Sequence, residues 1–96
     1  MARISTSFND RVMCSGGTLV IDTTGAITGL TCFAIDCVAD TAVSVMTGFD
    51  ENGVAVDFKT VYNLDTLKAG YTYYIKANQH VAAITLTSGT INVHQI

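Results

Sequence analysis

Residues 71–94 alternate in side-chain character along almost their whole length, and that period limits the fold more than any other feature of the chain. Tyr71, Tyr73, Tyr74 and Ile75 form an aromatic and β-branched run; apolar and hydroxyl side chains then alternate through residues 82–87 and again through 90–94. Successive side chains of an extended strand point to opposite faces, so a period of two reads as strand rather than helix. The stretch predicts three strands, with Ser88-Gly89 as the two-residue turn of a hairpin between the last two. Ala82, Ile84, Leu86, Ile91 and Val93 would line one face, and Ala83, Thr85, Thr87, Thr90, Asn92 and His94 the other. One side is dry and the other rich in hydroxyl groups, as in an antiparallel sheet with one covered face.

The preceding residues continue in the same manner. Residues 1–11 carry Ile4 and Phe8 among Ser, Thr, Asn and Arg without a sustained period, which predicts an extended N-terminal arm held by the sheet or by a neighbouring subunit. A strand starting at residues 12–14, a loop at Ser15-Gly16-Gly17 and a strand at 18–21 follow. Asp22-Thr23-Thr24-Gly25 reads as a turn, and residues 26–35 as a longer strand, apolar on both faces and therefore central, with Gly29 as a bulge. Asp36-Cys37-Val38-Ala39-Asp40 is expected to turn the chain again before a strand at 42–47. Gly48-Phe49-Asp50-Glu51-Asn52-Gly53 ends in Asn-Gly, a strong hairpin signal, and leads into a strand at 54–58. Residues 61–70 are the one stretch that reads as a helical turn, since Leu64 and Leu67 are three apart and Gly70 is placed for a C-terminal cap, and they read equally as a loop leading to the Tyr71 strand. Residues 12–96 are thus expected to form a single antiparallel β-sandwich or flattened barrel of about seven or eight strands, with at most one short helix.

Composition says what kind of surface this domain presents. Charged side chains make up 14% of the 96 residues, against roughly 25% in ordinary globular domains. A domain this small leaves much of its surface outside, so hydroxyl, amide and apolar side chains must cover it. Such a surface suits burial against other protein copies, which predicts a homo-oligomer. Arg3, Arg11, Lys59, Lys68 and Lys76 are scattered along a chain of net charge −3. Without a basic stripe, no nucleic-acid partner is expected. The longest uncharged run, residues 81–96, is broken by Thr, Ser, Asn and His and is shorter than the roughly 18–20 apolar residues of a spanning helix, so no membrane partner is expected. The N-terminal residues lack the basic-then-apolar order of a secretory leader, which implies synthesis in a cytoplasm.

Reactive constellations are sparse. Catalysis needs a nucleophile with a base and an orienting group, or paired carboxylates in a cleft, and neither His80 nor His94 has such company in the sequence. Cys14, Cys32 and Cys37 are odd in number and fit no disulfide framework, so reduced, buried thiols are expected. Zinc held by Cys32, Cys37, His80 and His94 would lack any Cys-x-x-Cys pair, and the acidic turn around Asp50, Glu51 and Asp57 lacks the ligand spacing of a calcium loop. Ser15-Gly16-Gly17-Thr18 precedes a strand and has no lysine, so it is a turn and not a phosphate loop. No catalytic residue, metal or cofactor is expected, and the chain is not expected to be an enzyme. Tyr62, Tyr71, Tyr73 and Tyr74 carry two readings: a platform for a glycan or peptide, or packing, with Tyr71, Tyr73 and Ile75 capping the core and Tyr74 meeting a neighbour.

Leu67-Lys68-Ala69-Gly70, the tyrosine-rich strand, a polar loop and then Val81-Ala82-Ala83-Ile84-Thr85-Leu86-Thr87-Ser88-Gly89-Thr90-Ile91 resemble the closing segment of short structural proteins of tailed bacteriophages. The likeness covers about a quarter of the chain and brings no catalytic residues. It implies a β-sandwich located on or within a virion, as a capsid decoration or cement protein or a head accessory subunit. The implied partners are further copies of the chain and a major capsid or other virion protein. Ile4 and Phe8 of the arm, with Tyr62, Tyr74 and His94, are the expected interface side chains. The alternative from another class is a small β-sandwich binding module that recognises a glycan or a host surface protein.

Overall fold

The computed structural model describes residues 17–96. The arm at 1–11 with Ile4 and Phe8, the strand start at 12–14 and Cys14 lie outside the described residues. Within them the chain forms β1 (Gly17–Ile21), β2 (Cys32–Phe49), β3 (Ala55–Asp57), a one-turn helix α1 (Phe58–Val61), β4 (Thr66–Leu67), β5 (Thr72–Tyr74) and β6 (His80–Gln95). All six strands join one antiparallel sheet with β2 at its centre. β6 follows one edge of β2, while β5, β4 and β3 take successive places along the other; β1 lies beyond β6.

The length of β2 dictates the shape. Its 18 residues would reach about 60 Å if laid flat, whereas the longest dimension of the molecule is 30 Å. Both β2 and its 16-residue partner β6 therefore bend, and they do so until the two ends of β6 converge on one residue: Cys32 pairs with both Val81 and Gln95. Repeated register shifts between the two strands accommodate the curvature.

These bends replace two expected turns. Residues 36–40 do not reverse the chain, because their two carboxylates serve neighbouring segments: Asp36 accepts from Thr72 Oγ1 and Asp40 accepts from the Ala69 backbone N–H. Ser88-Gly89 is likewise no hairpin. Gly89 has φ of 100°, and a Cβ there would lie 2.6 Å from Thr41 Cα and 2.7 Å from the Asp40 carbonyl oxygen, so the kink of β6 nests into the kink of β2. The described sheet accordingly has six strands rather than seven or eight, two of them long enough to stand where four were expected.

The expected face assignment survives the missing hairpin except at Ala82, which is half-buried like its neighbour Ala83. Ile84, Leu86, Ile91 and Val93 are buried while Thr87 is exposed. The buried set passes from even to odd positions between Leu86 and Ile91, and the register irregularities there supply the offset. Cys32, Phe33, Ala34 and Ile35 are all buried, as a strand covered on both faces requires, but that strand begins at Cys32; residues 26–31, expected as its first part, lie ahead of it with an isolated bridge from Ile27 to Ile84. Phe58, Met46 and Leu67 complete the interior with the apolar face of β6.

The helix lies just ahead of its expected place. Asp57 caps it by accepting from the Thr60 N–H and hydroxyl. Its C-terminal end closes at Asn63, whose φ of 54° lets the Leu64 N–H reach the Lys59 carbonyl. Gly70, expected as the cap, instead takes φ of 85° in the turn before β5.

Candidate functional site: a tyrosine-lined groove beside β5

Residues 62–64 leave α1 opposite β5, and between the two lies a groove of about 310 Å³ lined by Tyr62, Leu64, Thr72, Tyr73, Tyr74, Ile75 and Lys76. Both banks are fixed by asparagines that accept a left-handed backbone. Asn63 closes the helix beside Tyr62, and Asn78 at φ of 65° makes the turn in which Gln79 N–H bonds to the Lys76 carbonyl.

Tyr62 is held from two sides. Its ring stacks on the buried Phe58 with centroids 5.6 Å apart and planes 13° apart, and its hydroxyl donates to Gln79 Oε1 at 3.2 Å. Gln79 is itself buried and donates from Nε2 to Glu51 Oε2 at 3.0 Å. The ring is thus oriented before any ligand arrives, yet 44% of the residue stays exposed. Tyr73 packs on the core and accepts the Lys68 N–H at its hydroxyl. Tyr74, at 74% exposure, stands out of the sheet, and Lys76 contributes the one charge on the lining.

The edge of β5 that faces away from β2 has its own chemistry. Cys37 N–H bonds to the Tyr71 carbonyl and Ile75 N–H to the Phe33 carbonyl, so the Tyr71 carbonyl and the backbone groups of residues 73 and 75 face β2. Thr72 and Tyr74, at the alternate positions, direct theirs outward. No backbone partner occurs for these outward groups among the described residues.

A polar chain crosses the sheet to this edge. Thr18 on β1, His94 on β6, Asp36 on β2 and Thr72 on β5 form a continuous line: Thr18 Oγ1 to His94 Nδ1 is 3.0 Å, His94 Nε2 to Asp36 Oδ2 2.6 Å, and Thr72 Oγ1 to Asp36 Oδ1 2.6 Å. Hydrogen bonds from Thr72 and then from His94 hold the Asp36 carboxyl below its ordinary range. With Nε2 protonated, His94 donates to Asp36 and accepts from Thr18. The line resembles a hydroxyl, imidazole and carboxylate relay, but each member lies on the open sheet, and none of its histidine or carboxylate atoms lines the groove.

Of the expected interface side chains, Tyr62 and Tyr74 come together on the groove. His94 stands apart and reaches it through Asp36 and Thr72. Ile4 and Phe8 lie outside the described residues. Tyr71 does not cap the core; the turn in which its N–H bonds to the Lys68 carbonyl leaves it exposed, while Tyr73 and Ile75 point inward as expected. His80 is not in a loop. It opens β6 in the interior, its ring 5.6 Å from that of Phe49, with both ring nitrogens unpartnered, and burial pushes its pKa down. Cys32 and Cys37 are buried thiols that donate to the Ala34 and Ala39 carbonyls, and no three His, Cys, Asp or Glu side chains gather as metal ligands among the described residues.

Gln79, Glu51, Phe58 and Thr72 carry no mark of the site in the sequence. Asp57 three residues before Thr60 is the one local signal that placed a helix, and hence Tyr62, beside β5.

The molecule is therefore an antiparallel all-β domain with a preorganised aromatic groove at a sheet edge. No protein-family model matches the chain, nor does any curated protein or solved structure.

Proposed function

We propose that the chain is a structural subunit that acts through protein contacts, joining copies of itself and a larger assembly. The observation that carries this reading is the character of the outer surface. Nine large apolar side chains are exposed among the described residues, including Val20, Val54, Val61, Tyr71 and Tyr74, on a chain with few charges to keep copies apart. The resemblance to small structural proteins of tailed bacteriophages supports reading that assembly as a virion, with a major capsid or other virion protein as the partner and capsid decoration or head accessory as the role. No catalytic step is part of the reading.

The test measures the mass of the purified chain in solution and its cosedimentation with purified capsids. Self-association together with saturable cosedimentation is the expected result. A dispersed, folded monomer at high concentration that ignores capsids would overturn the proposal. The second reading is a binding module for a glycan or host surface protein, favoured by Tyr62, whose ring is presented already oriented at an open groove.

A further inference from the structure

We propose that the outer edge of β5 accepts an extended peptide of a partner protein as an additional strand, with an acidic side chain of that peptide at Lys76. Three features converge on this occupant. The N–H and C=O groups of Thr72 and Tyr74 point away from β2, two residues apart, which is the spacing at which an added strand exchanges hydrogen bonds. A groove runs beside that edge rather than open solvent, so a strand laid there finds Leu64, Ile75 and Tyr62 for an apolar side chain on one of its faces. The lining carries one charge, the Lys76 ammonium, with no ion-pair partner among the described residues, on a protein whose net charge is −3. An acidic peptide residue is the complement.

A sugar ring would use the tyrosine faces and ignore the backbone; a strand needs the backbone and tolerates changes in the rings. That difference makes the occupant decidable. The inference also supplies the partner chemistry for the assembly role proposed above, and rests on it only in taking the partner to be a protein.

The test selects binders to the full chain from a random peptide library, then measures the synthetic peptides by fluorescence anisotropy. Expected are sequences with apolar side chains at alternate positions and an Asp or Glu. Tyr74→Pro removes an outward N–H while leaving the Tyr73 and Ile75 bonds to β2 in place, a substitution that an edge strand admits. It is expected to weaken the peptide about tenfold, the equivalent of one lost hydrogen bond, whereas Tyr74→Ala weakens it by less than about threefold. N-methylation of alternate peptide amides should reproduce the loss on the unaltered chain, so the test stands even if Tyr74→Pro fails to fold. Lys76→Ala should weaken acidic peptides and spare their amide counterparts.

Failure to enrich any peptide, or binding indifferent to both Tyr74→Pro and N-methylation, would overturn the inference. So would saccharide-array binding lost equally in Tyr74→Ala and Tyr74→Pro, since both remove the ring. A chain that still self-associates and cosediments but enriches no peptide loses this inference and keeps the assembly role. One that binds peptides yet neither self-associates nor cosediments loses the role alone.

Discussion

His94 Nε2 lies 2.6 Å from Asp36 Oδ2, and this contact joins the two strands that build most of the sheet. Thr72 holds the other carboxylate oxygen, and its bond is the larger cause of the depressed Asp36 pKa. The fold favours the charged carboxylate. Its contribution to stability is therefore complete above the unfolded pKa of about 3.9 and is lost as the pH falls through the lower folded value. Asp36→Asn should lower stability at pH 7 by about 0.5–1 kcal/mol, a modest figure because the pair is partly solvated. Denaturant titrations at pH 7 and pH 3 should show the two proteins converging at the acid end.

His80 has the opposite character. It is fully buried, neither nitrogen has a partner, and burial disfavours its charged form. Unfolded chains take up the proton near pH 6.5 while the folded chain resists it, so stability falls as the pH drops below about 6.5 and continues to fall down to the folded pKa. His80→Leu forfeits no hydrogen bond and should match or exceed the parent at pH 7. It should also flatten the decline between pH 6.5 and pH 5. A parent protein whose denaturation midpoint is constant across that interval would contradict this account.

What is legible in the sequence is set by how local its causes are. Alternation marks Ile84, Leu86, Ile91 and Val93 as interior because a strand displays its period in every residue. The bends at residues 36–40 and 88–89 are read as turns because Asp and Ser-Gly mean turn when the strands that occupy their side chains and backbone are out of view. Asp36 needs Thr72 and His94, which are distant in sequence. The groove fails to announce itself for the same reason. Tyr62 and Tyr74 are visible as candidates, but the Phe58, Gln79 and Glu51 chain that orients the first, and the outward edge beside the second, arise only from folding.

Gly89 and Gly25 should respond to alanine in opposite directions. At Gly89 the backbone is left-handed and a Cβ would run into the Thr41 and Asp40 backbone, so both penalties apply and Gly89→Ala should cost more than about 2 kcal/mol. A Cβ on Gly25 meets nothing within 4 Å, and its φ is not positive. Gly25→Ala should therefore be neutral or stabilise by up to about 1 kcal/mol, through the lower entropy of the unfolded chain. Guanidinium midpoints of the two variants, compared with the parent at one pH, measure both effects.

Phe58 and Tyr74 separate folding from assembly. Phe58 is completely buried and supports the Tyr62 ring from beneath, so Phe58→Ala should cost about 3–5 kcal/mol. Tyr74 is mostly in solvent, its hydroxyl and ring unused by the fold among the described residues, and its truncation should change stability by less than about 0.5 kcal/mol. If the exposed aromatic surface is where copies meet, Tyr74→Ala must shift the mass distribution toward monomer while its denaturation curve overlays that of the parent. Analytical ultracentrifugation beside the denaturation curves reads both quantities on one preparation. An unchanged mass with an unchanged curve would remove Tyr74 from the interface, and a lowered curve would show that it belongs to the core.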